Sequence, residues 1–534
     1  MTSQRSMFTA SRTQAFTYLL GVCPFSIAFL VFINSSISFV VTDLIGIHDG
    51  EGDAVGTLGF ADELLALAAC PMWGVLSDRI GVRQVCTTGY IIVAIALVLF
   101  VQASNVYPQL LLGRLLFSIG GAAVSTMVTA VLPVVTGGGP NPRIEGDQLE
   151  PNTDAPSSRL AGFVGMCTGC GALISLVILL PLPAHFQEMG LSPAKAIQYT
   201  YYTAAVIAVL VSFCCSIGLR NLPGENGKSW TALWTGLRSN AQTAEPTRHS
   251  SRTTYKVRFP YLHQLSSAIS LGFRNRDIFI GYLGGFVARA SSVGISLFIP
   301  LFVNNYYRRS GLCDEQPTER ANPGDIKRSC PKAYVLASIL TGVSQLIALI
   351  AAPAFGYLSE KSRRYHLPLF IACLAGVVGY SVLAVLPSPE FKGEKGGPEI
   401  FVVMALVGVS QIGAIVCSLS VLSNGILSMT CSAEATLDAG NSQTPSTVPE
   451  SDEQQPLLET PVHRNQQPSD LKGSISGVYS LFGGAGILLL TKLGGLLFDV
   501  LDSSAPFYIM AGFNGVLVLA GVLSGLAIHF KVSQ

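Results

Sequence analysis

The sequence contains little charge. Asp, Glu, Lys and Arg make up 12% of its 534 residues, whereas soluble globular proteins average about 25%. So few charges cannot cover the surface of a water-soluble protein of this length. The net charge of +1 also lacks the strongly basic balance of a nucleic-acid-binding protein. The sequence therefore excludes both classes.

Signatures of catalysis are missing as well. The chain contains no P-loop, no G-x-S-x-G, no H-E-x-x-H and no dinucleotide fingerprint. Its seven histidines do not pair at metal-ligand spacing. We expect no enzyme activity, no cofactor, no metal site and no ATP-driven pumping. A membrane-embedded lipid-modifying enzyme is a remote alternative without a visible catalytic set.

Apolar residues are abundant, at 49% with a mean hydropathy of +0.49. Runs of about 17 to 25 mostly apolar residues predict membrane-spanning helices. The sequence predicts an all-α polytopic membrane protein with twelve spans, numbered in chain order: 16–41, 54–76, 84–104, 107–133, 160–182, 199–219, 277–303, 333–357, 366–387, 399–430, 474–498 and 504–529.

Lys and Arg concentrate in the loops on one side of these spans, which predicts cytosolic N- and C-termini. The longest basic loop divides the chain into two halves. We predict a six-helix bundle over 1–220, a cytosolic linker over 221–276 and a second six-helix bundle over 277–534. The cytosolic loop 431–473 within the second bundle is rich in Ser, Thr, Gln, Pro and acids, a composition typical of disorder.

An internal repeat relates the two halves. Residues 63–79 and 345–361 align without gaps and are identical at 8 of 17 positions. The matches include a helix proline and the following glycine, Gly74 in one copy and Gly356 in the other. An Asp-Arg pair ends the first copy and a Glu-Lys pair ends the second. Repeated halves are typical of secondary transporters, whose binding site lies near the midplane between them.

The first copy continues into a recognisable loop. Residues 74–83 read GVLSDRIGVR, which resembles the G-x-L-x-D-R-x-G-x-R signature loop of the major facilitator superfamily. Arg114, followed by small residues in span 4, resembles the second motif of the family, and the nearest subgroup resembles fungal multidrug-resistance-like facilitators. The resemblance covers the whole chain and implies transport by alternating access.

The resemblance also implies a conformational gate. In it, Asp78 rests against the positive N-terminus of span 11, which begins near Ser474. Arg79 and Arg83 complete the charge cluster, and the second copy contributes Gly356 and Glu360 beside Gly74 of the first. The alternative is that the two arginines only obey the positive-inside rule.

Charges inside the spans are costly and therefore candidates for function. Asp62, Glu63 and Arg114 lie at similar depth in the outer half of the first bundle. Adjacent helical residues point about 100° apart, so the two carboxylates cannot both face one partner. We hypothesise that one of them pairs with Arg114 and is protonated during transport. The alternatives are a permanent ion pair and exposure to a cavity or to the lipid interface.

Arg289 lies near the midplane of span 7, which the resemblance places at the central cavity. It is a candidate for binding an anionic or polar group of the substrate, and an arginine held by an ion pair or by carbonyls is the alternative. Gln345, the counterpart of Glu63 in the repeat, and the polar residues Asn34 and Gln411 are further candidates.

Two features lie outside the membrane. Cys313 and Cys330 share a loop that the topology places outside or in a lumen, where we expect a disulfide; two free thiols are the alternative. Glu453, Leu457 and Leu458 form an acidic dileucine pattern in the loop 431–473. Sorting adaptors read this pattern, which favours a vacuolar or endosomal membrane over the plasma membrane.

These observations predict a monomeric secondary transporter that moves a small organic solute, with protons as the coupling ion. A facilitative uniporter of the same fold is one alternative. A solute-sensing receptor built on a transporter fold is another, and it differs by binding its ligand without flux.

Overall fold

The structure is a computed structural model that describes residues 10–46, 51–136, 156–222, 225, 228, 261–311, 331–362, 366–391, 396–441 and 471–532. Twelve of its helices are long and apolar enough to cross a membrane. In chain order they are Arg12–Ile45, Val55–Ile80, Val82–Phe100, Val106–Thr136, Ser157–Glu188, Pro193–Gly218, Arg276–Tyr307, Val335–Lys361, Leu367–Val385, Glu399–Met429, Lys472–Val500 and Ala505–Leu523. These described ranges contain no β-strand. The predicted all-α fold with twelve spans is therefore confirmed.

The spans pack as two six-helix bundles whose interface we call the seam. Two helix pairs contact most extensively across it, span 2 with span 11 and span 5 with span 8. Large apolar side chains remain exposed around the outside, among them Val177 at 69% and Ile350 at 70%. Such an apolar exterior suits lipid rather than water.

A shorter helix, Tyr261–Arg274, precedes span 7 within the predicted linker, and we call it the linker helix. One of its faces packs on spans 7 and 11, where Ala268 is buried beside Tyr282 and Ile475. The other face leaves Leu262 and Phe273 exposed. This amphipathic distribution suits a helix at a membrane surface.

The helix of span 10 continues to Asn441, into the loop expected to be disordered from residue 431. The reason is local, because no proline or glycine interrupts the chain before Gly440 and the intervening residues include three alanines. The expected loop is helical at its start.

Candidate functional site

Asp78 lies at the end of span 2, against the first turn of span 11. Its carboxylate accepts hydrogen bonds from the backbone N–H of Gly473 at 2.6 Å and of Ser474 at 2.7 Å. The Ser474 hydroxyl donates a third bond at 2.6 Å. A helix N-terminus has unpaired N–H donors and a partial positive charge, so it stabilises a carboxylate there.

Glycines allow this close approach. A Cβ at Gly74 would lie 2.4 Å from the Gly473 carbonyl oxygen and 2.8 Å from the Gly477 Cα. Both neighbours are backbone atoms, which cannot move aside without separating the helices. We call Gly74, Asp78, Gly473, Ser474 and Gly477 the first seam contact.

The second copy of the repeat makes a similar contact between span 8 and span 5. A Cβ at Gly356 would lie 2.8 Å from the Gly162 Cα. Glu360 pairs with the side chain of Arg159, whose guanidinium lies 5.5 Å from the Tyr357 ring. The Glu360 side chain is 22% exposed to solvent, and the Arg159 side chain is 42% exposed. We call Gly356, Glu360, Arg159 and Gly162 the second seam contact.

Polar side chains extend the second seam contact towards span 10. The Ser420 hydroxyl lies 2.6 Å from that of Ser158 on span 5 and accepts a bond from Ser359 on span 8 at 2.9 Å. Asn424 donates to Ser158 at 3.3 Å and accepts from Ser157. These bonds join three spans across the seam.

Arg79 contacts the linker helix. Its guanidinium donates two bonds, of 3.2 and 3.0 Å, to the Gln264 amide oxygen and lies 3.7 Å above the Tyr261 ring. The far part of the same helix accepts a bond from Tyr282 of span 7 through the Ala268 carbonyl. The linker helix thus connects the signature loop of one half to a span of the other.

Arg83 lies at the start of span 3, where a residue distant in the chain caps the helix. Gly81 has φ +95° and offers no side chain to cap the helix, and the Glu225 carboxylate accepts from the backbone N–H of Val82 at 2.8 Å. The backbone and charge of Arg83 also act on Glu225, and the charge of Lys228 acts on Asp78. Glu225 and Lys228, just beyond span 6, therefore complete the charge cluster of the signature loop.

Asp62 is the carboxylate that pairs with Arg114. The Nη2 of Arg114 lies 2.5 Å from the Asp62 Oδ2 and also donates to the Asn34 amide oxygen. Only 2% of the Arg114 side chain and 8% of the Asp62 side chain are exposed, and Ser118 bonds the Asp62 carbonyl. The structure provides no hydrogen-bond partner for the Nε and Nη1 of Arg114 among the described residues.

Glu63 is not bonded to this pair and lies on the face of span 2 that packs on span 11. Glu63, Leu67 and Gly74 follow helical spacing on span 2, and Leu67 packs against Gly484 of span 11. Arg289 of span 7 packs against the neighbouring Gly483, where a Cβ would lie 2.7 Å from its Cγ. The charges of Glu63 and Arg289 interact across the seam.

The predicted amides lie on both halves, Gln345 and Gln411 on the second and Asn34 on the first. Gln345 donates to the Gln411 amide oxygen at 3.1 Å, and Gln411 donates to the Ser292 hydroxyl at 3.1 Å. Gln345 and Asn34 are exposed, while Gln411 is buried. The side-chain amide of each of these three predicted residues is hydrogen-bonded, and those of Gln345 and Asn34 are also exposed.

The remaining predictions concern other parts of the chain. Cys313, Cys330, Glu453, Leu457 and Leu458 lie outside the described residues. Within the part of the chain that the structure describes, no three His, Cys, Asp or Glu side chains form a potential metal site.

Sequence reasoning missed several residues of this arrangement, including Arg159, Glu225 and the linker-helix side chains of Tyr261 and Gln264. A signal was available for Arg159. Residues 157–174 align without gaps with 472–489, which matches Arg159 to Ser474 and Gly162 to Gly477. The linker residues carried no such signal.

Comparison with known proteins agrees with this architecture. Residues 24–428 match the family model described as Major Facilitator Superfamily. Among curated proteins no match was found.

Solved structures with a similar fold include sugar transporters. The E. coli fucose:proton symporter FucP superposes with a TM-score of 0.55 at 14% identity, over 96% of this chain and 99% of that one. FucP in the outward conformation gives a TM-score of 0.54, also at 14% identity and with the same coverage. The proton:xylose symporter XylE bound to 6-bromo-6-deoxy-D-glucose gives 0.53 at 11% identity, over 95% of this chain and 94% of that one. At these identities the likeness shows the fold alone.

Proposed function

The chain belongs to the Major Facilitator Superfamily and is a transmembrane transporter rather than an enzyme, and from that premise we propose that it is a proton-coupled carrier of a small organic solute. It works by alternating access between its two halves. The observation that supports this most is the pair of seam contacts, which join the halves at one end of the seam while Glu63 and Arg289, deeper in the seam, have no bonded partner among the described residues.

The seam contacts act as the gate at the predicted cytosolic end. Asp78 holds span 11 to span 2, and Glu360 holds span 5 to span 8, so the halves cannot separate there while both contacts are formed. Arg79 strengthens the closure through the linker helix, which also bonds span 7. With this end closed, the carrier is in an outward-facing state. FucP, a structural neighbour, was solved in an outward conformation.

Proton coupling takes place at the Asp62–Arg114 pair. A carboxylate buried in the membrane is stabilised in its charged form by the arginine and destabilised by desolvation. Rocking of span 1, which reaches the pair through Asn34, changes this balance and allows Asp62 to take up or release a proton. Two guanidinium nitrogens without described partners indicate that Arg114 has donors available for a rearranged bond.

The test is transport by the purified protein in proteoliposomes under an imposed pH gradient, with a panel of labelled solutes. The wild type is expected to accumulate its solute. Asp62→Asn is expected to lose accumulation and to retain exchange of solute between the two sides, because only the coupling group is removed. Lys195→Gln serves as the control, since Lys195 is exposed at the start of span 6, away from the seam.

Other outcomes decide between the alternatives. Flux that ignores the pH gradient indicates a uniporter with a permanent Asp62–Arg114 pair. Solute binding without any flux indicates a sensor. Unchanged proton-driven accumulation in Asp62→Asn contradicts the coupling role.

The proposal also covers the membrane location of the protein, its sorting signal and a disulfide. We expect cytosolic termini and a monomer in a vacuolar or endosomal membrane. The dileucine pattern at Leu457 and Leu458 is the proposed adaptor signal, and Cys313 and Cys330 are the proposed disulfide. Fluorescence localisation of the full chain before and after substitution of both leucines tests the sorting signal.

A further inference from the structure

Two opposite charges face the seam without a partner. Among the residues that the structure describes, neither the Glu63 carboxylate nor the Arg289 guanidinium makes a hydrogen bond or an ion pair, although their charges interact. Both side chains are half-buried. A charge within a membrane span is costly unless it is paired or hydrated, so water or a bound counter-charge has to satisfy these two half-buried groups.

The other buried charges nearby are already balanced. Arg114 pairs with Asp62 at 2.5 Å, so this pair contributes no net charge. The repeat counterpart of Glu63 is Gln345, a neutral amide bonded to Gln411. The described part of the seam at this depth therefore presents one free acid, one free base and a pair of amides. Lys492 of span 11 lies one helical turn further from the first seam contact, over the Phe60 ring of span 2.

The position of the two charges relates them to the gate. Leu67 packs against Gly484, and Arg289 packs against Gly483. Glu63 lies one helical turn beyond Leu67, on the side away from the first seam contact. Glu63 and Arg289 thus lie on opposite halves, immediately above the part of the seam that is closed. A ligand that binds both would draw the halves together at this level.

Resting on the proposed transport function, we propose that the solute is a small zwitterion, whose ammonium group binds Glu63 and whose acidic group binds Arg289. A neutral sugar would leave both charges unpaired. A simple anion would pair Arg289 and leave Glu63, and a simple cation would do the reverse. A zwitterion pairs both, and bidentate recognition of a carboxylate by a guanidinium adds directionality.

Ligand binding to the purified full chain tests the proposal through thermal stabilisation. The zwitterion probes are glycine, β-alanine, γ-aminobutyrate and 6-aminohexanoate, which differ in the separation of their charges. Propionate, propylamine and xylose are the anionic, cationic and neutral controls. We expect zwitterions of one length range to bind at least about tenfold more tightly than all three controls, which corresponds to about 1.4 kcal/mol.

Charge variants assign the two ends. Glu63→Gln is expected to bind the preferred zwitterion no more than about threefold better than propionate, because each tenfold of preference needs about 1.4 kcal/mol of discrimination that the amide lacks. Arg289→Gln is expected to lose the preference over propylamine in the same way. Lys195→Gln, at an exposed residue of span 6, is expected to match the wild type. If either single variant does not fold, the exchanged pair E63R/R289E replaces it and is expected to retain zwitterion binding.

Each result bears on one claim. Propionate or xylose binding as tightly as the best zwitterion overturns the proposal, as does the absence of stabilisation by any zwitterion. Xylose flux without zwitterion flux in proteoliposomes overturns it too, and leaves the transport function intact. Zwitterion binding without flux contradicts transport and leaves the site assignment standing.

Discussion

In the first seam contact a carboxylate binds the backbone of span 11, whereas in the second a carboxylate binds an arginine side chain of span 5. The geometry is otherwise shared. Asp78 corresponds to Glu360 in one repeat, and Ser474 corresponds to Arg159 in the alignment of spans 5 and 11. Glycines bring the backbones together in both, at Gly74 with Gly477 and at Gly356 with Gly162.

The two contacts differ in whether a substitution can remove the hydrogen-bond donor. The N–H donors of a helix terminus belong to the backbone, so no substitution of span 11 short of proline deletes them. The Arg159 guanidinium is a side chain and is partly exposed to solvent. We therefore expect the first seam contact to dominate the closed state and the second to adjust it.

Glycine substitution is expected to have the largest effect on both contacts. Gly74→Val places atoms against the backbone of span 11, and Gly356→Val does the same against span 5. Overpacking costs about 1 to 3 kcal/mol, and backbone neighbours put both sites at the upper end of that range, so each variant should populate the open seam about a hundredfold more and lose transport accordingly. Spin-label distances between the helix ends measure this.

Matched controls are available on the same helices. A Cβ at Gly59 of span 2 or at Gly342 of span 8 would have no neighbour within 4 Å. Their valine variants should keep the wild-type distances. Wild-type distances in Gly74→Val as well would contradict the dependence of the closed seam on glycine at this position.

Neutralising the acids should separate the two contacts. Asp78→Asn removes charge-assisted hydrogen bonds worth about 1.5 to 3 kcal/mol and is expected to increase the open population about tenfold or more. Glu360→Gln breaks a partly exposed pair worth about 0 to 1 kcal/mol, which limits its effect to about fivefold. Asp499→Asn, at an exposed residue of span 11, is the control. The reverse order would show that the second contact dominates.

A higher salt concentration should also distinguish the two seam contacts, with a smaller effect. Raising the ionic strength from 0.1 to 1 M shortens the Debye length from about 10 Å to about 3 Å. Screening weakens the exposed Arg159–Glu360 pair, so the difference between wild type and Glu360→Gln should vanish. The effect of Asp78→Asn should persist, because its partners are backbone groups within the seam. Distance measurements at both salt concentrations decide the matter, and equal salt sensitivity would refute the distinction.

The smallest expected effect concerns pH at the cap of span 3, a feature of the first half. Burial raises the pKa of the Glu225 carboxyl above its ordinary 4.5, against the lowering effects of Lys228 and the Val82 N–H. An acid whose pKa is raised on folding contributes its full stability below pH 4.5 and loses it as the pH rises through the raised pKa. Glu225→Gln keeps an acceptor and cannot ionise.

The melting temperature of Glu225→Gln relative to wild type should therefore rise with pH across this window and stay constant above it. Thermal unfolding of both proteins at a series of pH values provides the measurement. A difference that is independent of pH would show that Glu225 does not change its charge there.

The position of Asp78 followed from the resemblance of residues 74–83 to a signature loop, which implied a place at the N-terminus of span 11, and the Ser474 N–H donates to its carboxylate there. Sequence reasoning left open whether Asp62 or Glu63 meets Arg114, because residues about 100° apart on a helix are told apart only by how that helix is rotated. Rotation depends on packing against spans 1 and 4, which no local pattern encodes.

Composition, hydropathy and the repeat by themselves determined the class, the twelve spans and the two related halves, because burial in lipid imposes a length and an apolar content on each helix separately. The tertiary structure alone decided which charges meet. It left Glu63 and Arg289 without a bonded partner among the described residues, paired Asp62 with Arg114, and joined Arg159 to Glu360 and Arg79 to the linker helix. Each of these contacts joins residues distant in the chain, and only the packing of whole helices brings them together.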